Sequence, residues 1–390
     1  MWDFDEHVAR EGTDCIKYDR RLETFGSKDI IPMWVADMDF KCPDFVLDSM
    51  HKRLEHEIFG YSYRPPEYYQ SIINWIKSRH NWKVEREWIS FCPGIVPALN
   101  FCTLAFTQPG DSIIVQPPVY FPFFSAAESH GRNLIYNRLN ENEGKWSIDF
   151  DSLVSAINEK TKMIIISNPH NPVGRVWSAE ELKHLAEICI EKNIIIISDE
   201  IHCDLTLPGF IHTPMASLSE KIASRTVTLV APSKTFNLAG LSTSSVIIPD
   251  RDLRKSFNRV VDNLHIGSGN IFGTVASIAA YTHGEKWLGE LMHYIDDNVE
   301  YVSEYCRDMI PEIIPVKPEA TYMIWFDCRK FHMQGKELQN FFIHKAGVGM
   351  NEGSAFGPGG EGFMRMNVGT THNTVIKAME QIEKAVSELR

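Results

Sequence analysis

Three polar residues with complementary chemistry follow three short apolar runs of this sequence. Asn171, Asp199 and Lys234 come just after runs rich in β-branched residues, at 163–167, 194–198 and 226–231. Such runs, separated by helix-like segments, predict buried parallel strands. Because ligands bind at the carboxyl ends of strands in open α/β sheets, we expect an amide, a carboxylate and an amine to meet at one sheet edge.

This set of side chains predicts pyridoxal 5'-phosphate (PLP) as the cofactor. The ε-amine of Lys234 can form an imine with the PLP aldehyde. A carboxylate at Asp199 would pair with the ring nitrogen and keep it protonated, which preserves the ring as an electron sink. The amide of Asn171, held in the proline-rich turn 168–172, can donate to the phenolic oxygen of the ring. Gly174 then lets the chain leave that turn.

The segments that carry these residues resemble the class I/II aminotransferase family of fold-type I PLP enzymes over nearly the whole chain. The resemblance lies in 168–174, 199–204 and 233–240, which occur in the family's order and spacing. Segments 32–40 and 59–62, together with His202, resemble more closely the carbon–sulfur lyase branch, the cystathionine β-lyases of the MalY/PatB type. The second resemblance rests on less specific motifs than the first.

The pattern of elements predicts an α/β protein with two lobes. Strand-like and helix-like segments alternate to about residue 248, and a long helical region near 285–309 precedes the strand-like runs 322–326, 347–350 and 363–367. The resemblance implies the fold-type I PLP-dependent transferase fold, with a mixed, mostly parallel sheet in a large domain and a smaller α+β domain. We assign residues 46–284 to the large PLP-binding domain and residues 1–45 and 285–390 to the small one, onto which the N-terminal segment is expected to pack.

Composition excludes several classes of function. The chain has 390 residues and a net charge of −12, and no basic stripe offsets the acidic excess, so a nucleic-acid partner is not expected. No apolar stretch approaches the roughly 20 residues of a membrane span, and the first residues lack the pattern of a signal peptide. The eight cysteines are scattered without a C-x-x-C pair, which predicts reduced thiols in a cytoplasmic enzyme.

Residues for the cofactor phosphate are predicted less directly. A glycine before a helix is usually only a turn, but the family places a phosphate-binding loop at Gly94, so the backbone N–H groups of Ile95 and Val96 become candidates. The family often carries a serine and an arginine where this chain has Ala231 and Ser242. The phosphate is therefore expected to meet less positive charge. Its expected contacts are Ser233, the loop backbone, Tyr61 and either Ser244 or Ser245.

Two further residues have a functional and a structural interpretation. Tyr120 could stack on the cofactor ring or pack among neighbouring phenylalanines, and only the resemblance favours stacking. Arg365 lies in an apolar, strand-like run, where its guanidinium could bind a substrate carboxylate or form a structural salt bridge. The family's carboxylate-binding arginine has a matching setting and favours the first interpretation.

His202 stands where aminotransferases of the family commonly have a tyrosine that donates to the phenolic oxygen. A histidine could donate there too, and its pKa near neutrality would add a titratable step. His202 and Asp204 alone make a poor metal site, so no metal is expected. The resemblance also implies that Tyr61 reaches the phosphate in the partner subunit of a homodimer with composite active sites; a surface tyrosine is the alternative.

We therefore predict a PLP-dependent carbon–sulfur β-lyase, with Lys234 as catalytic residue and an amino acid as substrate. It would cleave L-cystathionine or a cysteine S-conjugate to a thiol, pyruvate and ammonia. A class I/II aminotransferase is the nearest alternative, because it uses the same side chains. A regulatory protein that keeps the PLP scaffold to bind a partner is the second.

Overall fold

The computed structural model describes residues 2–390. The strands are β1 (Ile31–Pro32), β2 (Ile89–Cys92), β3 (Ser112–Val115), β4 (Asn133–Tyr136), β5 (Asn140–Asn142), β6 (Lys145–Ser147), β7 (Thr161–Ser167), β8 (Ile195–Asp199), β9 (Thr226–Val230), β10 (Ser244–Ile247), β11 (Ile314–Val316), β12 (Met323–Asp327), β13 (Val348–Gly349), β14 (Asn351–Glu352) and β15 (Phe363–Asn367). The α-helices are α1 (Ile16–Asp19), α2 (Arg21–Phe25), α3 (Asp44–Leu54), α4 (Pro66–His80), α5 (Ile95–Phe106), α6 (Pro122–Glu128), α7 (Phe150–Ala156), α8 (Ala179–Glu191), α9 (Glu220–Ala223), α10 (Pro232–Thr235), α11 (Arg251–Asn263), α12 (Ile271–His283), α13 (Glu285–Met309), α14 (Gly335–Asn340) and α15 (His372–Ser387).

A seven-stranded sheet forms the centre of the molecule, in the order β2-β10-β9-β8-β7-β3-β4. Strands β9, β8, β7, β3 and β4 run parallel to one another, and β10 runs antiparallel to both β2 and β9. Strands β7, β8 and β9 are adjacent; Asp199 is the last residue of β8, and Asn171 and Lys234 follow β7 and β9. The sequence prediction of neighbouring parallel strands is therefore confirmed.

Both faces of this sheet are covered, which explains why its strands read as continuous apolar runs. Along β7, Met163 and Ile165 pack in one core cluster with α5 and α11, whereas Ile164 and Ile166 pack in another with α8. This alternation is the two-residue period of a strand. Helix α8 begins with a capping box between Ser178 and Glu181, as its sequence favours.

A second sheet has the order β11-β12-β15-β14 and is antiparallel throughout. The long helix α13 precedes it, at the position that the sequence predicted. The run 347–350, which was expected to form a strand-like part of the small lobe, contains β13. This strand does not join the second sheet but pairs with β1 in a separate two-stranded parallel sheet. That pairing joins the N-terminal segment to the C-terminal part of the chain. The proposed domain boundaries stay a prediction.

The N-terminal segment packs against the second sheet, and its main-chain carbonyls accept hydrogen bonds from a side chain of that sheet. The amide of Asn367 on β15 donates to the carbonyls of Val35, at 2.6 Å, and Asp37, at 2.7 Å. On the other side, Asn237 donates to the carbonyls of Met38 and Phe40, at 2.9 Å each. Residues 34–38, named here the N-terminal strap, thus lie between the two sheets. Within residues 2–390, no helix has both the length and the apolar character of a membrane-spanning segment.

Candidate active site

The carboxyl ends of β7, β8 and β9 open on one pocket. Asn171, Asp199 and Lys234 all line it, together with Ala36 of the N-terminal strap and Gly94 before helix α5. The structure therefore brings together the amine, the carboxylate and the amide. Adjacent parallel strands place the residues that follow them at the same sheet edge, so this convergence is a direct result of the strand order.

The side chain of Lys234 is half-buried at the first turn after β9. Helix α10 begins with Pro232, whose fixed φ suits a helical N-terminus, and it places Lys234 over the sheet edge. The Nζ atom donates to the carbonyl of Ala36 at 2.5 Å. Burial lowers the pKa of Lys234 to about 8, because an ammonium ion loses its hydration there, and the nearby charge of Asp37 only partly opposes this. A neutral amine is thus accessible near physiological pH.

The carboxylate of Asp199 is 4% exposed and has few partners. Its Oδ1 accepts from the N–H of Ile201 at 3.1 Å. Burial raises the pKa of Asp199 to about 7, although that N–H and the charge of Lys234 favour the ionised form. A cationic N–H donor in the pocket would stabilise the carboxylate and lower this pKa.

Asn171 and Arg365 form a hydrogen-bonded pair between the two sheets. The Nη1 atom of Arg365 donates to Oδ1 of Asn171 at 3.0 Å, so the amide nitrogen of Asn171 remains free to donate. The turn that carries Asn171 is fixed in part by Gly174, whose φ is +74°. A Cβ at Gly174 would lie 2.7 Å from a side-chain atom of Pro318, so only glycine fits there.

Arg365 is 3% exposed, yet within residues 2–390 it forms no ion pair with a carboxylate. Its guanidinium lies 4.8 Å from the ring centre of Phe356. Burial lowers the pKa of Arg365 to about 10. The structural salt bridge considered from sequence is therefore not formed by the described residues. A buried cation without an anionic partner is costly, so an anion bound beside Arg365 would be stabilising.

The end of the pocket that the sequence analysis assigned to the phosphate lies at the start of helix α5. This helix has no side-chain cap, and Pro97 at its third position has no N–H, so Ile95 and Val96 present the first free backbone donors. Ser233 lines the pocket, as do Ser242 and Thr243.

Neither Ser244 nor Ser245 faces the phosphate end, contrary to expectation. Ser244 donates to the carbonyl of Cys92 at 2.8 Å, and the hydroxyl of Ser245 lies 3.3 Å from that of Tyr68. Both serines are on strand β10, where these contacts join them to neighbouring elements. Ser242 and Thr243 take their place along the pocket.

His202 and Tyr120 line the same pocket. Burial, followed by the positive charges of Lys234 and Arg365, lowers the pKa of His202 to about 3. His202 is therefore neutral near pH 7, and the titratable step expected from an ordinary histidine pKa is absent. The Nδ1 atom of His202 is buried without a partner, which leaves it available to a ligand. Tyr120 also contacts Phe121 and Phe123, at centroid distances of 5.1 and 6.4 Å, so the ring takes part in both the pocket and the core.

The carboxylate of Asp204 is engaged by residues other than His202. It accepts hydrogen bonds from Trp75 and Thr235, at 3.0 Å each, and lies 3.0 Å from Nε2 of His80. His80, Cys203 and Asp204 have potential ligand atoms within 4.8 Å of one another. The carboxylate is already engaged by these donors, and the contact with Thr235 connects it to the residue after Lys234.

Tyr61 is fully exposed and does not line this pocket. Sequence analysis also missed several groups that do belong to the site. The carbonyls of Trp34 and Ala36 accept from Arg365 and Lys234, and Asn351 accepts from Arg365. The strap lies within the 32–40 motif that carried the lyase resemblance, so that motif could have indicated it. Nothing local distinguishes Asn351 from other polar residues.

The residues present fit PLP. The pocket has a partly desolvated amine for the aldehyde, a buried carboxylate for the ring nitrogen and an uncapped helix N-terminus for the phosphate. An amide donor at Asn171 and a neutral histidine at position 202 lie between these ends.

Comparison with known proteins agrees with this geometry. The family model described as "Aminotransferase class I and II" matches residues 28–382. The chain belongs to the class I and II aminotransferase family. Within this family, the chain is 43% identical to cystathionine β-lyase PatB of Bacillus subtilis over 98% of its own length and 100% of that protein. This likeness places it in the MalY/PatB branch.

Two solved structures of the family share its fold. Cystalysin from Treponema denticola, described as containing a pyridoxal 5'-phosphate cofactor, is 35% identical with a TM-score of 0.97 and covers both chains fully. The PLP-bound C-S lyase from Staphylococcus hominis is 34% identical with a TM-score of 0.93, covering 99% of this chain and 98% of that one. The fold is thus the fold-type I PLP-dependent transferase fold that the sequence resemblance implied.

Proposed function

We propose that this protein is a PLP-dependent carbon–sulfur β-lyase that acts on L-cystathionine or a related cysteine S-conjugate. The observation that carries the proposal is the desolvated Lys234 amine, which faces the same pocket as Asp199. The likeness to PatB over the full chain supports elimination of a β-sulfur group as the reaction, among those that this family's site could perform.

Each residue has a distinct proposed task. When bound, PLP withdraws electrons from the α-carbon of the attached amino acid. Asp199 stabilises the protonated ring nitrogen, Arg365 binds the α-carboxylate, and Asn171 donates to the phenolic oxygen. Lys234, neutral in part because its pKa is about 8, removes the α-proton.

The remaining proposed contacts hold the cofactor in place. The N–H groups of Ile95 and Val96 and the hydroxyl of Ser233 bind the phosphate. Tyr120 packs on the ring face, and His202 supplies a neutral polar contact beside the phenolic oxygen. In the reaction the Cβ–S bond breaks with its electron pair on sulfur, which leaves as the thiol after taking a proton. Water then hydrolyses the three-carbon fragment to pyruvate and ammonia.

A direct assay tests this function. The holoenzyme is incubated with L-cystathionine without any keto acid, and thiol and pyruvate are measured. We expect equal amounts of both, continuous turnover with wild type and with the exposed control Lys286→Ala, and none with Lys234→Ala. Accumulation of pyridoxamine phosphate without thiol would instead identify an aminotransferase. Absence of both reactions would favour the regulatory alternative.

We also propose a homodimer with composite active sites. Ile58, Phe59, Tyr61 and Tyr63 form a stretch with large exposed apolar surfaces, which is typical of an interface. Tyr61 on this stretch would reach the phosphate of the partner subunit. Hybrid dimers of Lys234→Ala and Tyr61→Ala chains test this, since one of their two sites would contain neither change. The hybrid dimer is expected to have about half the activity of the wild-type dimer. An inactive hybrid would contradict the shared site.

The proposed compartment is the cytoplasm. All eight cysteines are free, and six of them are buried, as suits reduced thiols. Fractionation of the source cells with an antibody to the protein would test this assignment.

A further inference from the structure

The guanidinium of Arg365 is bound by three neutral oxygen atoms. Nη1 donates to Oδ1 of Asn171 at 3.0 Å, and Nη2 donates to the carbonyl of Trp34 at 3.0 Å and to Oδ1 of Asn351 at 2.8 Å. The Nε atom is buried without a partner. A guanidinium has five N–H groups, and three of them donate to these oxygens. One N–H on Nη1 and the single N–H on Nε therefore remain without an acceptor.

This arrangement conflicts with simple bidentate binding of a carboxylate. A carboxylate forks onto either the Nη1/Nη2 edge or the Nε/Nη2 edge of a guanidinium, and both edges include Nη2. Both hydrogens of Nη2 are already donated, to Trp34 and Asn351. A substrate carboxylate that takes either edge must therefore displace one of these two oxygens.

Asn351 is the acceptor that can give way. Trp34 contributes a main-chain carbonyl from the N-terminal strap, whose neighbours Val35 and Asp37 are held by Asn367. Asn351 contributes a side-chain amide that can rotate. Its Cα lies directly opposite that of Arg365 in the β14–β15 pair, so the two side chains project from the same face of the sheet.

Rotation of the Asn351 amide would convert an acceptor into a donor. Its oxygen and nitrogen lie at equivalent positions about the terminal torsion, so a half-turn places Nδ2 where Oδ1 was. The part-buried amide nitrogen has no hydrogen-bond partner within residues 2–390 and is not among the fully enclosed atoms that lack one. It is therefore both free and accessible.

We propose that Asn351 is a second residue for recognition of the substrate carboxylate. Its amide accepts from Arg365 in the free site, rotates when the carboxylate arrives, and donates to that carboxylate. The free site thus keeps the buried guanidinium hydrogen-bonded without adding a negative charge that would repel the substrate. This inference rests on the proposed function only for the role of Arg365 as the carboxylate ligand.

Competing roles for Asn351 make different predictions. A purely structural residue would affect ligands with and without a carboxylate equally. A residue that only competes for Nη2 would bind carboxylates better once it is removed. A donor to the carboxylate would lose affinity for the carboxylate form alone, by about tenfold or more, as for a hydrogen bond to a charged group.

Binding of a matched ligand pair tests these roles. L-Norleucine, which lacks a β-leaving group, and L-norleucinamide, its uncharged carboxamide, are titrated into the holoenzyme while the visible absorbance is followed. The quantity measured is the Kd of the amide divided by the Kd of the acid. We compare wild type with Asn351→Ala, Asn351→Asp and the exposed control Asn340→Ala.

We expect this ratio to fall about tenfold or more in Asn351→Ala and further in Asn351→Asp, whose carboxylate would pair with Arg365. Asn340→Ala should match wild type. With a reactive substrate, KM should rise in Asn351→Ala while kcat changes less. An unchanged or increased ratio in Asn351→Ala overturns the proposal.

A second variant covers poor folding. Asn351→Ser keeps a hydroxyl donor, and its ratio should lie between those of Asn351→Ala and wild type; a ratio equal to that of the alanine variant counts against the donor role. Because these measurements follow binding, they remain decisive whether the wild-type enzyme eliminates thiol or transfers an amino group. The thiol and pyruvate assay addresses that separate question.

Discussion

The two halves of the candidate active site are built in different ways. The half at the ring of the proposed cofactor comes from adjacent parallel strands, where Asp199 ends β8 and Lys234 follows β9 at one sheet edge. The half around Arg365 is assembled from the second sheet, the N-terminal strap and the turn at Asn171. The first half is strongly desolvated and charged on both sides, whereas the second surrounds one cation with neutral oxygens. Rigid strand ends suit chemistry, and adjustable side chains suit recognition.

Breaking the first half should give the largest effect. Asp199→Asn removes the negative charge proposed to stabilise the ring nitrogen. Loss of one partner from a buried charge pair costs about 3–5 kcal/mol, so kcat for thiol release should fall by on the order of 10²–10⁴-fold. The matched control is Asp151→Asn, on the exposed surface of α7, which should retain wild-type kcat. Full activity of Asp199→Asn would remove Asp199 from the mechanism.

Changing the second half should mainly alter binding. Arg365→Lys keeps a positive charge but loses the planar fork, so KM should rise by about 10–100-fold, as expected for loss of about 1.5–3 kcal/mol from a charged hydrogen bond. The value of kcat should change less, because Lys234 and Asp199 remain in place. Steady-state kinetics of thiol release measures both. A lower kcat with an unchanged KM would show that Arg365 does not serve substrate binding.

The smallest expected effect concerns stability of the cofactor-free protein. Burial keeps His202 neutral when folded, with a pKa of about 3, while in the unfolded chain the imidazole has its ordinary pKa of 6.5. Below pH 6.5 the unfolded state therefore binds an extra proton, and stability falls as pH decreases toward 3. Between pH 7 and 5 this contribution is about 2 kcal/mol, at about 1.4 kcal/mol per pH unit.

His202→Gln should remove that part of the acid destabilisation. The free energy of urea unfolding is measured at pH 7 and pH 5 for both proteins, and the loss between the two pH values is compared. The other buried histidines contribute equally to both proteins, so the difference isolates position 202. Equal losses in the two proteins would mean that His202 takes up a proton in the folded state as well.

The same contrast explains what sequence could predict. Asn171, Asp199 and Lys234 follow local strand signals, and adjacent parallel strands turn local position into spatial proximity. Helix α5 after Gly94 was also predicted correctly, because the residues that follow this glycine have a helical apolar pattern. The positions of these side chains at the edge of the large sheet could thus be predicted from the sequence alone.

The contacts of Arg365 could not be predicted in this way. Its bond to Trp34 joins residues 331 positions apart and uses a main-chain carbonyl, which every residue has. Asn351 depends on the register between β14 and β15, and strand pairing is not encoded in a short stretch of sequence. The environment of His202 was misjudged for a related reason: its pKa depends on burial and on charges from distant segments.

The N-terminal strap has a practical consequence for altering this protein. Its carbonyl groups receive the amine of Lys234 and the hydroxyl of Tyr322 at Ala36, and the guanidinium of Arg365 at Trp34. A shortened chain that begins at Lys41 would keep every acid, base and cation assigned a catalytic task. It would lack the main-chain carbonyls that line one side of the active-site pocket. Affinity tags are therefore better attached at the opposite terminus, where the last residues follow α15.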